Sequence, residues 1–263
     1  MKISLIPGFN PGPFTGSGNN TYLISGSEPA LIDAATGSEA HLKELKSSLG
    51  RGFLSRVLIT HGHNDHVSGV TAISKCWPNV ECIKIPWRER DKRYEVKWKS
   101  ISDGDEIRAG DCLLRVIFTP GHAPDHAAFF EETSKTLFCG DLMIKGSTTV
   151  IPARSGGSLL AYMESLQAII KLDPLRVLPA HGPEIENPIL LAQNYLDHRR
   201  KREGQIISEL KNGCATLPLL VDRIYSHVSS NLVEAASETV LAHLEKLEIE
   251  GLIAEKEGEW HLI

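Results

Sequence analysis

The chain has 263 residues, 41% of them hydrophobic, and a formal net charge of −5. These values predict one sizeable globular domain and a small one. The weak negative balance excludes a polycation that binds nucleic acid by bulk attraction. No apolar run approaches the roughly 20 residues that a membrane-spanning helix needs. Residues 1–8 have the features of neither a signal peptide nor an Arg-rich transit peptide, so we expect a cytoplasmic protein.

The first part of the chain predicts alternating strands and helices. Residues 20–33 are typical of two strands joined by a turn at Glu28. Residues 36–49 have the apolar spacing of an amphipathic helix, which Gly50 ends. The apolar run at 57–59 then predicts a buried strand that opens into a loop. Strands and helices continue to alternate to about residue 183, which indicates an α/β fold.

Four potential metal ligands, His61, His63, Asp65 and His66, follow the strand at 57–59 within six residues. On an extended backbone His61 and His63 point the same way, because side chains alternate along a strand. Asp65 and His66 lie where the chain turns into a helix and can face a second centre. Without metal these groups would compete for buried polar partners, at a cost of about 1–3 kcal/mol per unsatisfied group. The segment therefore predicts ligands for two ions.

Further ligand-type side chains follow three later apolar runs. They are His122, Asp141 and His181. Gly121 and Gly140 precede the first two and let the backbone approach a crowded centre without a Cβ clash. Two divalent ions about 3.5–4 Å apart need such additional ligands, including a shared carboxylate. The pattern predicts a two-metal site assembled at strand ends.

The ligand-bearing motifs resemble those of the metallo-β-lactamase fold superfamily. They are HGHNDH at 61–66, TPGH at 119–122, CGD at 139–141 and PAHG at 179–182. The resemblance implies a four-layer αβ/βα sandwich with the metals at the edge where the two sheets meet. It implies that the first metal is held by His61, His63 and His122, the second by Asp65, His66 and His181, and that Asp141 bridges the two. All seven positions match.

Other segments are similar to a branch of this superfamily called lactamase-beta-like protein 2, described as single-strand-specific endoribonucleases. They include NPGP at 10–13, NTYL at 20–23, DGD at 103–105, GSTT at 146–149 and HRR at 198–200. By this resemblance a mitochondrial matrix location is also open. The Gly/Ser-rich segment at 152–158 departs from the branch close to where substrate is expected to enter, which leaves the choice of substrate open.

Two zinc ions are the expected cofactors, because zinc suits sites that mix histidine with carboxylates. Manganese or iron could use the same ligands. Such ions lower the pKa of water to about 7, which supplies a nucleophile at neutral pH. Asp65 is a catalytic candidate because it could orient that water. His126 either protonates the leaving group or hydrogen-bonds a ligand. Asn20 and Thr21 are candidates to support the loop beside the metals, and Asn20 also to contact substrate.

Residues 84–99 combine seven basic and three acidic residues with three aromatic ones. Cations for phosphates and aromatic rings for bases are what a groove for single-stranded nucleic acid combines. Lys92 and Arg93 are its candidate substrate contacts. The composition equally suits a solvated mixed-charge loop whose aromatic rings are anchored in the core. The sequence leaves both interpretations open.

A catalytic domain at 1–200 and a small domain at 201–263 are the expected division of the chain. Three helices and a terminal hairpin are predicted at 205–210, 217–228, 235–250 and 252–263. This order is a winged-helix pattern. From Gln193 onward there are eight basic and twelve acidic residues, whereas a helix that enters a nucleic-acid groove is expected to be basic. We expect a packing or oligomer contact rather than DNA binding.

Two functions remain open. The first is a metal-dependent endoribonuclease that cuts single-stranded RNA, favoured by the resemblance and by residues 84–99. The second is a hydrolase of a small ester, thioester (of the glyoxalase II kind), lactam or lactone, favoured by the same metal site and the acidic balance. A non-catalytic role is disfavoured because all seven ligand positions are filled. The expected partner is single-stranded RNA or a small-molecule substrate, with no membrane.

Overall fold

Two sheets form the centre of the fold in the computed structural model, which describes residues 1–213, 215–226, 229 and 232–263. The first sheet has the order β1 (Lys2–Pro7), β2 (Asn20–Ser25), β3 (Ala30–Ile32), β4 (Arg56–Leu58), β5 (Glu81–Lys84), β6 (Trp98–Ser100). The second has the order β11 (Arg176–Pro179), β10 (Thr136–Gly140), β9 (Ala127–Glu131), β8 (Cys112–Phe118), β7 (Glu106–Ala109). Strands β3 to β6 are parallel, as are β10 and β11, and the other pairings are antiparallel.

Apolar side chains from both sheets meet in a central core that includes Tyr22, Ile24, Phe129 and Phe138. Strands β9 and β10 are buried along their whole length. Their sequences, AAFFE and TLFCG, are accordingly mostly apolar and do not alternate. Burial of each large apolar side chain stabilises the fold by about 1.5–3 kcal/mol relative to exposure.

Helices cover the outer face of each sheet. The first sheet packs against α1 (Glu39–Leu49) and α3 (Val70–Cys76), and the second against α5 (Leu159–Leu172) and α6 (Pro188–Lys211). The order of layers is helix, sheet, sheet, helix. The predicted four-layer αβ/βα sandwich is confirmed.

Helix α1 begins three residues later than the sequence predicted. Ser38 is its N-cap, and the Ser38 Oγ accepts a hydrogen bond from the His41 N–H over 3.3 Å. This bond satisfies one of the backbone donors left free at a helix start. Gly50 ends the helix, as predicted.

Two short helices and several strand ends lie at one edge of the sandwich. Helix α2 (Asn64–Val67) follows β4, and helix α4 (Arg88–Asp91) follows β5. The backbone of Asn20 at the start of β2 donates to the Ala180 carbonyl after β11 over 2.7 Å. This bond joins the two sheets at the edge where the predicted ligands lie.

The last part of the chain is a winged-helix arrangement. It consists of the end of α6, then α7 (Leu217–Ile224), α8 (Val233–Ile249), β12 (Ile253–Lys256) and β13 (Glu259–Leu262). The prediction of a separate helix at 205–210 was wrong, because α6 continues without a break to Lys211. Its residues Ile206 and Leu210 are buried in the small core of this domain, which favours continuation of the helix. The predicted end of the next helix at Val228 lies outside the described residues.

Helix α8 packs against both parts of the chain. Its Val240 and Leu244 belong to the small core, whereas Ala242 is buried in the core beneath the second sheet. Lys246 of α8 forms an ion pair with Glu203 of α6 over 2.8 Å. Helix α6 also crosses the boundary expected near residue 200. Within the described residues, no helix combines the length and the apolar composition that a membrane span requires.

Candidate metal centre

The seven predicted ligands meet at one edge of the two sheets. They come from the segment after β4 (His61, His63), from α2 (Asp65, His66), and from the ends of β8, β10 and β11 (His122, Asp141, His181). Strands β8, β10 and β11 run in the same direction, so their C-terminal ends share this edge.

The first set of ligand atoms is formed by three imidazoles. Nδ1 of His63 lies 3.0 Å from Nε2 of His61 and 2.9 Å from Nε2 of His122. Nitrogen ligands at 2.0–2.1 Å from a tetrahedral zinc ion are roughly 3.3 Å apart. The three nitrogen atoms therefore converge as ligands of one ion do.

The second set consists of one carboxylate and two imidazoles. Oδ2 of Asp65 lies 3.4 Å from Nε2 of His66 and 3.4 Å from Nε2 of His181. Asp65 is the most open of the three, with 29% of its side chain exposed. This set can hold a second ion and leave one side open to solvent.

The carboxylate of Asp141 lies between the two sets. Its Oδ1 is 3.5 Å from His66 Nε2 and 3.3 Å from His181 Nε2, and its Oδ2 is 3.4 Å from His122 Nε2. Oδ1 is buried and has no hydrogen-bond partner among the described residues. A buried carboxylate oxygen without a donor is costly, and an ion at each oxygen would satisfy it. The donor set fits a pair of divalent ions with Asp141 as the bridge.

A second carboxylate, Asp33, supports the centre from behind. Its Oδ2 lies 2.9 Å from Nδ1 of His66, and its Oδ1 accepts the Thr60 N–H over 2.8 Å. The Thr60 hydroxyl in turn lies 3.1 Å from Nδ1 of His61. Partners at Nδ1 fix the orientation of a ligating ring and leave Nε2 free to bind. Asp33 is absent from the predicted site residues, although it follows the apolar strand β3 as several of the ligands follow their strands.

The loop after Asp141 orients two ligands. His122 Nδ1 donates to the Val150 carbonyl over 2.7 Å, and the Thr149 hydroxyl donates to the Asp141 carbonyl over 3.0 Å. The buried guanidinium of Arg199 on α6 donates to the Thr149 carbonyl. The GSTT and HRR segments, singled out only by resemblance, thus meet behind the centre.

His126 is buried, and its position favours one of its two predicted roles. The Asp141 N–H donates to His126 Nε2 over 3.1 Å, and Nδ1 lies 2.8 Å from the Thr119 hydroxyl. Because Nε2 accepts a hydrogen bond, it carries no proton to give. Burial, with a contribution from the nearby His122, lowers the pKa of His126 to about 3. The geometry supports a role in positioning Asp141 rather than protonation of a leaving group.

Glycine is required before two of the ligands. A Cβ at Gly121 would lie 2.3 Å from the Tyr162 Cα, and one at Gly140 would lie 2.7 Å from His126 Nε2. Both residues have positive φ, 132° and 52°. The predicted close approach to the centre is found at Gly140, whereas the close approach at Gly121 is to Tyr162 of α5.

The charges of the two ligand sets differ. Burial, together with the neighbouring His122 and His66, lowers the pKa of His63 to about 2. Burial opposes ionisation of both His66 and Asp141, but their mutual attraction outweighs it. The pKa of His66 is raised well above its usual value, with Asp65 contributing, and that of Asp141 is held well below. The first set therefore offers neutral imidazoles, and the second lies in a negative environment that suits a cation.

Asn20 and Thr21 do not meet the centre directly. Asn20 Nδ2 donates to the carbonyls of Pro179 and Gly182, over 3.0 and 2.7 Å, and so holds the loop that carries His181. Its amide nitrogen is therefore engaged by the protein, and the predicted substrate contact lacks support from this geometry. The Thr21 hydroxyl donates to the Ile6 carbonyl instead of to this loop.

Asn19, which is not among the predicted site residues, lies closer to the ligands. Its Nδ2 lies 3.2 Å from Asp65 Oδ2, and its Oδ1 accepts from Asn10 Nδ2 over 2.7 Å. Asn10 thereby fixes the amide so that its nitrogen faces the carboxylate. The NPGP segment at 10–13 contributes to the centre through this contact.

In the segment at 84–99, some residues are anchored in the core and others are exposed, as a nucleic-acid contact would require. Lys84 is buried and forms ion pairs with Asp91 and Asp125, over 2.6 and 2.8 Å. Tyr94 and Trp98 pack against the core of the first sheet. These residues are structural anchors. Lys92 and Arg93, the predicted substrate contacts, lie exposed just after α4.

Trp87 and Arg90 form a wall beside the first ligand set. The Trp87 ring centroid lies 6.3 Å from that of His63, and the Arg90 guanidinium lies 4.4 Å above the Trp87 ring. Arg90 also donates to the Gly62 carbonyl over 3.2 Å. Both residues lie within the basic segment at 84–99 but were not predicted as site residues. Their contacts are with Gly62 and His63, in another part of the chain.

The Gly/Ser-rich segment at 152–158 lies against the same wall. A Cβ at Gly156 would contact Pro124 at 3.5 Å and Trp87 at 3.7 Å. The Arg154 N–H donates to Glu238 on α8 over 3.0 Å, and the Arg154 side chain forms an ion pair with the same carboxylate. The winged-helix part therefore contacts the segment that borders the centre.

Comparison with known proteins agrees with this arrangement. The family model of the metallo-beta-lactamase superfamily matches residues 14–181, and that of the beta-lactamase associated winged helix domain matches residues 216–260. A Caenorhabditis elegans protein called Beta-lactamase-like protein 2 homolog is 36% identical over 214 residues, which cover 80% of this chain and 71% of the relative. An Aspergillus fumigatus protein called Atrochrysone carboxyl ACP thioesterase is 28% identical, over 89% of this chain and 76% of the relative.

Solved structures show the same fold. The metallo-beta-lactamase family protein TTHA1429 from Thermus thermophilus superposes with a TM-score of 0.82 at 22% identity, over 99% of this chain and 98% of the other. The family model covers the ligand motifs from His61 to His181. The chain belongs to the metallo-beta-lactamase superfamily and carries the winged-helix domain associated with it.

Proposed function

We propose that this superfamily hydrolase cleaves single-stranded RNA at a phosphodiester. The observation that carries the proposal is the placement of an arginine and an indole, Arg90 and Trp87, beside a two-set ligand cluster joined by Asp141. Cationic and aromatic groups together are what single-stranded nucleic acid requires of its binding groove. The resemblance to an endoribonuclease branch supports the same substrate.

Two divalent ions, which we propose to be zinc, would be held by His61, His63 and His122, by Asp65, His66 and His181, and by Asp141 between them. Manganese or iron are alternatives with the same ligands. Bound there, they supply Lewis acidity and lower the pKa of water to about 7.

The chain's own residues orient the reactants. Asp65 is the most exposed of the second set, and Asn19 fixes its carboxylate through a hydrogen bond of 3.2 Å. It is therefore placed to accept a hydrogen bond from the attacking water and to direct its lone pair. His126 fixes Asp141 through the backbone. Side chains held this way need little rearrangement during reaction, which is an important source of catalysis.

RNA reaches the centre past the exposed cations on and just after α4. Arg88 at the start of the helix and Lys92 and Arg93 after it are exposed, and each can contact a phosphate. Their contribution should depend strongly on salt, because phosphate contacts release bound counterions. The chain as a whole has a net charge of −5, so the attraction is local.

The winged-helix domain acts in this proposal as a packing module. Ala242 of α8 is buried against the main domain, and Glu238 holds Arg154 beside the centre. We propose that the domain borders the substrate path and does not read a nucleic-acid duplex.

The test is cleavage of an end-labelled single-stranded RNA by zinc-loaded protein, with Asp141→Asn beside it. We expect discrete cuts that disappear in the variant and a rate that falls steeply as salt rises. Intact RNA with two metal ions measured in the protein would reject the proposal.

Hydrolysis of a thioester is the second candidate. It is favoured by the likeness to the Aspergillus fumigatus protein whose name describes a thioesterase. Turnover of a neutral thioester should hardly change with salt, unlike turnover of RNA. Efficient cleavage of a thioester panel by protein that leaves RNA intact would establish this alternative.

A further inference from the structure

Arg90 is a half-buried cation beside the candidate metal centre. Its guanidinium is stacked on Trp87 and gives one hydrogen bond, to the Gly62 carbonyl, which lies between two ligands of the first set. Within the part of the chain that the structure describes, no carboxylate forms an ion pair with Arg90. Asp125 lies close enough to attract the Arg90 charge, but Asp91 and Asp125 are both paired with Lys84. A guanidinium has five N–H donors, so most of those on Arg90 are available to a ligand.

Buried ionic contacts hold the wall that carries Arg90. Lys84 is 1% exposed and joins Asp91, on the same helix as Arg90, to Asp125, in the loop that also carries His122. The second oxygen of Asp91 accepts the Trp87 N–H over 2.7 Å. Burial of such charges is costly unless they are well paired. This group therefore fixes the position of the wall relative to the ligands.

The wall also lies in direct contact with the ligand loop. A Cβ at Gly62 would be 3.2 Å from the Trp87 ring and 3.1 Å from Asp125 Oδ2. Any side chain at this position would push the wall away from His63. Arg90 is consequently held at a fixed distance from the first ligand set, which is what recognition of a substrate group adjacent to the reacting bond requires.

We propose that Arg90, stacked on Trp87, is a substrate-specificity residue that binds a phosphate next to the scissile phosphodiester. This inference rests on the proposed RNA substrate. A guanidinium pairs with two phosphate oxygens at once, and its planar face stacks on an indole. The exposed Lys92 and Arg93 have no comparable fixed position and contribute general attraction.

The experiment compares two RNA oligomers of one sequence, one of them with neutral methylphosphonates at the phosphates flanking the cleaved bond. Wild type, Arg90→Gln and Arg90→Lys are assayed on both. Lys135→Gln is the matched control, because Lys135 precedes β10 at the end opposite to Asp141 and pairs with Asp173 on the surface. Metal content and melting temperature are measured for each variant.

We expect Arg90→Gln to lower kcat/KM on the unmodified oligomer by about tenfold or more, chiefly through KM. The variant should have little effect on the oligomer with methylphosphonates beside the cleaved bond. Arg90→Lys should recover part of the loss, and the control should match wild type. An equal loss on both oligomers at unchanged metal content would overturn the inference and assign Arg90 a structural role.

Failure of the proposed function would be seen separately. If wild type leaves both oligomers intact, RNA is not the substrate, and the same variants are assayed on a thioester that bears a carboxylate and on its neutral amide analogue. A loss confined to the charged thioester would overturn the phosphate assignment and show that Arg90 binds a carboxylate instead. An equal loss of activity in Arg90→Gln on the charged and the neutral thioester, relative to wild type, would overturn the inference as well.

Discussion

Asp33 and His66 form a buried pair in which the carboxylate Oδ2 lies 2.9 Å from Nδ1 of the imidazole. The pair turns Nε2 of His66 toward both Asp65 and Asp141. A carboxylate behind a ligating histidine fixes the ring and makes it a stronger ligand. Asp33 thus acts on the second ligand set without belonging to it.

Asp33→Asn should weaken binding of the second ion by about 10–100-fold, the usual effect of removing such a partner. Zinc affinity measured by competition with a chromophoric chelator tests this. Asp173→Asn is the control, since Asp173 is a surface residue paired with Lys135. Unchanged affinity in Asp33→Asn would show that His66 needs no carboxylate behind it.

Asp141→Asn should reduce bound metal from two ions to at most one and lower kcat by at least about a hundredfold, because the amide offers only one oxygen to two ions. Metal content by mass spectrometry and RNA cleavage report the two effects. Full activity with two ions bound would contradict a bridging role.

His126→Gln should lower kcat only slightly and leave the shape of its dependence on pH unchanged. Glutamine can still accept from the Asp141 N–H, the bond that His126 makes. A general acid would instead give a limb in the pH profile that disappears with the side chain. Loss of the alkaline limb of the pH profile in the variant would show that His126 protonates the leaving group.

Glu238→Gln should change the free energy of unfolding by only about 0–1 kcal/mol, because pairs with an exposed partner are weak and half of the Arg154 side chain is exposed. Amide hydrogen exchange at residues 153–156 should nevertheless become faster, since the segment loses its ion pair with α8 and keeps at most a neutral hydrogen bond to it. Glu257→Gln in the terminal hairpin is the control. Equal exchange in all three proteins would mean that the segment is held by other contacts.

His41 should make stability depend on pH. It is buried beside Thr21, and burial lowers its pKa to about 4. The histidine of the unfolded chain takes up a proton near pH 6.5, whereas the buried one does so only near pH 4. Above pH 6.5 the fold therefore keeps its full stability, and as pH falls toward 4 it loses about 3 kcal/mol in total. Urea unfolding at pH 7 and pH 4.5 should show a smaller difference for His41→Gln than for wild type. Parallel losses in both would assign the effect to other groups.

The ligands could be predicted because each lies in a short motif directly after an apolar run. His61, His122, Asp141 and His181 needed only local pattern and the expectation that strand ends meet. Asn19 and Arg90 could not be found this way, since their contacts join segments far apart in the chain. The continuation of α6 past residue 205 was missed for a related reason, because the core that buries Ile206 is built largely from later helices.

The division of ligands between the sheets has a mechanical consequence. Each set takes two side chains from the β4–α2 segment of the first sheet and one from a strand end of the second. Each ion would therefore act as a cross-link that closes a loop of many residues, and such links favour the folded chain. An ion that binds only the folded state adds about 2.7 kcal/mol at a concentration a hundred times its Kd. Chelation should therefore lower the melting temperature of the whole sandwich, because its two halves also share one apolar core.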